Sequence, residues 1–301
     1  MPGGPSNPAP ALTFLDPHGP IAAAQRAHLI EVVLLLLIVV LPVLILTPIL
    51  AWRYRYGGSA RYTPRWSFYW PLELLVWGVP VAIVAVLAVW LWQNTKALDP
   101  YAPLASATEP PLEVDVVGYD WKWLFIYPQL GIASMGELVF PVAQPLAIEL
   151  TSDTVMQSFF IPALGSQIYA MPGMVTQLHL LANAPGRFHG ENTQYNGKEF
   201  YRQQFIAKAL KPADFAAWVK EVQATGIPLS TRAYGAVRQK GTLGEARSAL
   251  GLAQRPDRPL FFRDVPPNLF DAIVRSVHTS SPVGFVSSPA RHDVTRAVSG
   301  H

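Results

Sequence analysis

The chain of 301 residues contains no cysteine. That absence excludes disulfides, a lipid-modified cysteine and every thiolate ligand. Charge is also scarce, at 14% of residues against roughly a quarter in ordinary soluble domains. Acidic residues are missing altogether from Trp52–Leu72, which carries Arg53, Arg55, Arg61 and Arg65. The first 28 residues are rich in Pro, Gly and Ala and show no basic stretch leading into a short apolar run. A cleavable signal peptide is therefore not visible, so either the tail crosses the membrane with the first span or the true start lies upstream. Although the sequence pI is 9.1, the sparse charge gives no basic surface for nucleic acid.

Apolar residues are abundant and unevenly placed. Val32–Ala51 is a charge-free run of 20 residues and Leu74–Trp92 one of 19. Each matches the roughly 20 residues a helix needs to cross the hydrocarbon core, and neither shows the polar stripe of a buried soluble helix. Two spans are expected, at about 29–52 and 72–93, inside a hairpin of 29–96. Arginine near span ends marks the cytoplasmic side, so both termini should be periplasmic. Trp52, Tyr54 and Tyr56, with Trp66, Tyr69 and Trp70, suit an interfacial aromatic belt.

Beyond a Pro-rich linker at 97–111 the pattern changes to short alternating runs separated by Gly, Pro, Asn and Asp. Strands are predicted at Leu112–Gly118, Trp121–Tyr127, Glu137–Phe140, Leu146–Thr151, Ser158–Ile161, Val175–Leu181 and Gln204–Leu210. Such spacing argues for a β-sandwich or barrel over 112–210. A C-terminal extension at 211–277 should carry helices at Pro212–Gln223 and Pro267–Val277, with a loosely ordered segment between them. Residues 278–301 read as a flexible tail. Gly186–Phe205 (GRFHGENTQYNGKEFYRQQF) reads as a polar loop between two strands, a setting in which β-domains carry ligands. It offers one His, His189, and little else toward copper.

Set in order, these pieces resemble subunit II of the haem-copper respiratory oxidases. The resemblance rests on Leu72–Pro80 (LELLVWGVP), Gly118–Tyr127 (GYDWKWLFIY), Asp153–Met174 (DTVMQSFFIPALGSQIYAMPGM) and Gly186–Gly197, in family order and spacing over roughly Leu15 to Phe270. It implies a two-helix hairpin followed by a periplasmic cupredoxin-like Greek-key β-barrel. In the cytochrome c branch that barrel holds a two-copper centre. Its ligand positions match Gln157, Asn192, Asn196, Phe200 and Gln203, and the backbone ligand position matches Gln194. An amide is a poor substitute for thiolate toward copper. The pattern is therefore similar to subunit II of the cytochrome bo-type ubiquinol oxidases, which lack the centre.

Several residues keep a plainer reading. His179 and His189 lack partners at ligand spacing, Met171 and Met174 read as core fillers, and Trp121 as packing, although it matches the aromatic that admits electrons in the cytochrome c branch. Glu31 reads as a boundary residue. Glu73 stands at the cytoplasmic edge of the second span, where a carboxylate snorkels to water. The resemblance implies more for it: the mouth of a proton-uptake channel shared with the large subunit. It further implies a proton-pumping quinol oxidase in the bacterial inner membrane, with ubiquinol as the complex's substrate. Subunits I, III and IV would be its partners, the haems and copper would sit in the large subunit, and no cofactor would bind this chain. A cytochrome c oxidase subunit and a membrane-tethered binding or assembly module remain the rival readings.

Overall fold

A computed structural model describes residues 15–58, 68–104, 109–165, 167–254 and 258–279. Arg61, Arg65 and Trp66, residues 105–108 of the 97–111 linker and residues 280–301 lie outside these residues, and the tail expected from 278 starts with two helical residues. The described chain divides into two units, one of residues 24–99 and one of residues 15–23 with 100–279.

The first unit is the hairpin. Helix α1 spans Pro20–Arg53 and α2 spans Trp70–Ala97, both long and apolar enough to cross a membrane. Each exceeds its predicted span. Helix α1 begins nine residues before the expected 29, so residues 20–28, expected as tail, are helical. Proline favours exactly one place in a helix, the start, where its missing N–H is no loss, and Pro20 takes it. Pro42 and Pro48 lie inside α1 and Pro80 inside α2. The two helices exchange a hydrogen bond between Asn94 Nδ2 and His28 Nδ1 at 3.3 Å. Glu31 lies 3.8 Å from His28 on the same helix.

The second unit is a β-sandwich with a helical layer. Its strands are β1 (Leu112–Tyr119), β2 (Lys122–Tyr127), β3 (Ile132–Met135), β4 (Glu137–Pro141), β5 (Leu146–Ser152), β6 (Gln157–Phe160), β7 (Gln167–Ala170), β8 (Thr176–Leu180), β9 (Gly186–Asn192), β10 (Gln204–Leu210), β11 (Ile227–Pro228) and β12 (Leu260–Arg263). One sheet runs β11-β12-β3-β2-β1-β5-β8 and the other β4-β10-β9-β6-β7. Helices α3 (Pro212–Thr225), α4 (Thr231–Arg238), α5 (Leu243–Ala249) and α6 (Leu269–Thr279) complete it.

Strand β2 explains the layering. Successive side chains of a strand point to opposite faces. Trp123, Phe125 and Tyr127 enter the core between the sheets, while Leu124 and Ile126 enter a second core. Tyr234 and Val237 of α4 and Phe270 and Ile273 of α6 cover that second core. Phe159 and Phe205 stack in the first at 5.0 Å, with Trp123 edge-on to Phe159 at 5.3 Å.

Two expectations are corrected here. The described residues of the segment between the extension's helices are ordered: they form α4, α5 and β12, and β12 pairs with β3 and joins the seven-stranded sheet. Their order comes from burying the outer face of that sheet. The loop expected at 186–205 is a strand over its first seven residues, paired with both β10 and β6. Phe188 points inward, and Gly190 has no side chain because the Phe205 ring lies against it. The start of α1 belongs to this unit: Ile21 and Ala22 are buried, and Gly165 lies against both.

Candidate functional site: a buried amide cluster

Four of the five side chains expected at ligand positions converge at one end of the sandwich. Strand β6 contributes Gln157 and the end of β9 contributes Asn192. The loop that follows contributes Asn196, and Gln203 lies just before β10. Gln157 and Gln203 are fully buried and Asn192 is 5% exposed. Gly118 makes the room, because a Cβ there would collide with the Gln157 amide.

Gln203 is the hub. Its Nε2 donates to Gln157 Oε1 and to the Tyr119 carbonyl at 3.3 Å. Its Oε1 accepts from Asn196 Nδ2 at 2.7 Å and from Asn192 Nδ2 at 3.1 Å. Gln157 Nε2 donates to the same Tyr119 carbonyl at 3.2 Å. Asn192 Oδ1 accepts from the main-chain N–H groups of Ser158 and Gln194, at 2.9 and 3.0 Å. Gln194 thus takes part through its backbone alone. Phe200 does not join the cluster and packs edge-on against Tyr195 at 5.1 Å.

The donor set does not fit copper. Soft thiolate and imidazole ligands are what such a centre needs, and here the amide oxygens of Gln157 and Gln203 already accept N–H groups from the neighbouring amides. Among the described residues, no group of three or more His, Cys, Asp or Glu side chains could hold a metal ion. Apart from Asn196 Oδ1, which is buried without a hydrogen-bond partner, the amides of the cluster are satisfied by one another and by the backbone, which is the condition for burying them.

The remaining candidates lie apart from it. His189 Nε2 is 3.4 Å from Glu191 on the same strand, and His179 Nδ1 bonds the Pro100 carbonyl at 3.0 Å. Met174, expected in the core, is 53% exposed, and Met171 is only half-buried, because both lie on the turn between β7 and β8. Trp121 occupies the β1–β2 turn with φ +65°, a left-handed conformation uncommon for a bulky residue. Lys240 lies over its ring at 5.1 Å, and Gly197 comes against its edge. Glu73 lies in the first turn of α2, and Trp77 Nε1 donates to its Oε2 at 3.2 Å.

Sequence reasoning missed the residues that fasten the extension beside the cluster. Lys122 is buried, and its Nζ donates to the carbonyls of Gln239 and Gly241 at 2.6 and 2.8 Å. Burial pulls its pKa down to about 8, against the charges of Asp120 and Glu245. Tyr119 and Tyr234 join hydroxyls at 3.2 Å, and Arg238 grips Asp153 through two bonds of 3.0 and 3.2 Å. The available signal was a lysine on the same face of β2 as Leu124 and Ile126.

Comparisons with known proteins decide the family. The model of the cytochrome c oxidase subunit II periplasmic domain matches residues 129–208. Ubiquinol oxidase subunit 2 of Acetobacter aceti is 42% identical over 266 residues, which is 87% of this chain and 82% of that protein. The chain belongs to the ubiquinol oxidase subunit 2 family. Cytochrome bo(3) ubiquinol oxidase subunit 2 of Pseudomonas putida is 45% identical over 226 residues, 75% of this chain and 72% of the relative. The crystallised periplasmic domain of cytochrome oxidase subunit II of Bradyrhizobium japonicum aligns with 38% of this chain and 96% of its own, at 23% identity and TM-score 0.36. As a ubiquinol oxidase subunit 2, the chain is a membrane protein with a cupredoxin-like domain and, by itself, no complete active site.

Proposed function

We propose that the chain serves a proton-translocating ubiquinol:oxygen oxidoreductase of the bacterial inner membrane as its second subunit. It partners with other oxidase subunits: the large haem-copper subunit I, which would carry the haems and copper, and subunits III and IV. Both termini lie in the periplasm, and Glu73 stands at the entrance through which subunit I takes up protons. Ubiquinol would deliver electrons from within the membrane, so an external copper relay has no task. The observation that carries this reading is the buried amide cluster. Where a relay would need thiolate and imidazole, Gln157, Asn192, Asn196 and Gln203 hydrogen-bond one another.

The test is purification by a tag on this chain. A haem-bearing membrane partner should come with it, and the complex should consume oxygen with ubiquinol and not with reduced cytochrome c. Turnover with cytochrome c would make it a cytochrome c oxidase subunit. Recovery without any haem protein would make it a binding or assembly module.

A further inference from the structure

The first turns of α2 carry a second polar arrangement, apart from the amide cluster. Glu73 lies in the first turn, and the Trp77 indole N–H donates to its Oε2 at 3.2 Å. Pro80 lies one turn further inside the helix. Proline has no N–H, so Pro80 gives nothing to the carbonyl of Val76, four residues earlier. Glu73, Val76, Trp77, Pro80 and Val84 recur at steps of three and four and so share one helix face. A groove lined by Val76, Trp77, Pro80, Val81 and Val84 follows that face away from Glu73. In apolar surroundings a carbonyl deprived of its helical donor needs another, from water or a neighbouring chain.

We infer that Trp77 is a positioning residue for Glu73, and that the Val76 carbonyl is the next hydrogen-bonding station for a proton leaving that carboxyl group. The inference rests on Glu73 being the proton-uptake entrance. An indole N–H can only donate, so it holds Oε2 and fixes the carboxylate against the helix. The proton arrives at Oε1, where an O–H bond forms as a hydronium ion gives up its proton and becomes water. In the second step the carboxyl group passes the proton to a water held by the Val76 carbonyl, and the carboxylate is restored. No electrons move.

The test uses the complete oxidase, with turnover counted per haem. Trp77→Phe keeps the ring and removes the donor. It should lower kcat about three- to tenfold, leave the KM for quinol unchanged and displace the pH profile, a smaller loss than the hundredfold or more of an essential acid–base group. Pro80→Ala restores a backbone N–H to the Val76 carbonyl and should also slow turnover. Neither change should slow a Glu73→Gln oxidase further. Wild-type rates and profiles in both variants, beside a slow Glu73→Gln oxidase, would overturn the inference alone. A Glu73→Gln oxidase with the wild-type rate would instead remove the entrance reading. If Trp77→Phe lowers haem incorporation and not turnover per haem, Trp77 packs and does not position.

Discussion

Gln203 is the side chain on which the amide cluster depends. Replacing it with Leu leaves Gln157 Oε1 without its donor and strips Asn192 and Asn196 of a shared acceptor. A buried neutral group left unsatisfied costs about 1–3 kcal/mol. With two or three groups affected and some relaxation, Gln203→Leu should destabilise the external unit by about 3 kcal/mol. Denaturant unfolding followed by tryptophan fluorescence would measure it, and a loss below about 1 kcal/mol would show that the cluster relaxes.

Lys122 gives a dependence on pH whose sign can be worked out. Its folded pKa, about 8, is below the ordinary 10.5 because burial disfavours the charge. Between these values the unfolded chain holds the proton that the folded chain has released, so stability rises with pH. Tyr119, Tyr127 and Tyr234 are pushed above their ordinary 10.0 by burial, so ionisation of the unfolded chain opposes the trend at higher pH. Between about pH 8 and pH 9.5 the lysine should dominate and add roughly 2 kcal/mol, at 1.36 kcal/mol per unit. Lys122→Met should flatten that slope, and an unchanged slope would assign it to another group.

At the scale of elements, the extension builds the second of the external unit's two cores. Strands β1, β2 and β3 are buried on both faces, and the outer face is covered by α4, α6 and their loops. Truncation after Thr225 would bare Tyr119, Leu124, Ile126, Ala133 and Met135 together and remove β12 from the edge of β3. The truncated chain should expose a large apolar patch and aggregate or be degraded. Recovery of a monodisperse truncated protein with native tryptophan emission would show that the sandwich stands alone. Arg238 is itself 40% exposed, but the Asp153 side chain that it holds is only 4% exposed, so loss of the arginine would leave a buried carboxylate without that partner.

For the whole molecule, orientation and proton uptake are the properties to test. A cysteine-free chain accepts single labels, so Tyr56→Cys should react with an impermeant thiol reagent only from the cytoplasmic side, and Ala224→Cys only from outside. Tyr56 and Ala224 are exposed. Labelling of Tyr56→Cys in intact cells would reverse the topology inferred from the arginines. Glu73→Gln should leave assembly and haem content normal while slowing oxygen reduction roughly three- to thirtyfold, since water can partly bypass an entrance group. Glu73→Asp should recover part of the rate. Wild-type turnover between about pH 6 and pH 9 would leave Glu73 as an interfacial anchor.

The two spans and the sandwich class were legible in the sequence alone, and the five positions matched through the family resemblance include four that meet in one cluster and one, Phe200, that does not. Hydrophobic run length, period-two alternation and residue identity are local properties, and each survives into the structure unchanged. The grouping of Gln157, Asn192, Asn196 and Gln203 was implied by the resemblance to the family's ligand positions. Their mutual hydrogen bonds were not, because residues 46 apart in the chain meet only when β6 and the start of β10 are folded into one sheet. The strand at Gly186–Asn192 was hidden for the same reason. Its polar, glycine-containing pattern makes sense only once Phe205 lies against Gly190. Strand β12 and helices α4 and α5 are too short to be persuasive locally. What orders them is the second apolar face of β1–β3. The continuous run WKWLFIY already carried that two-sided burial, but only the tertiary structure decided which residues would cover it.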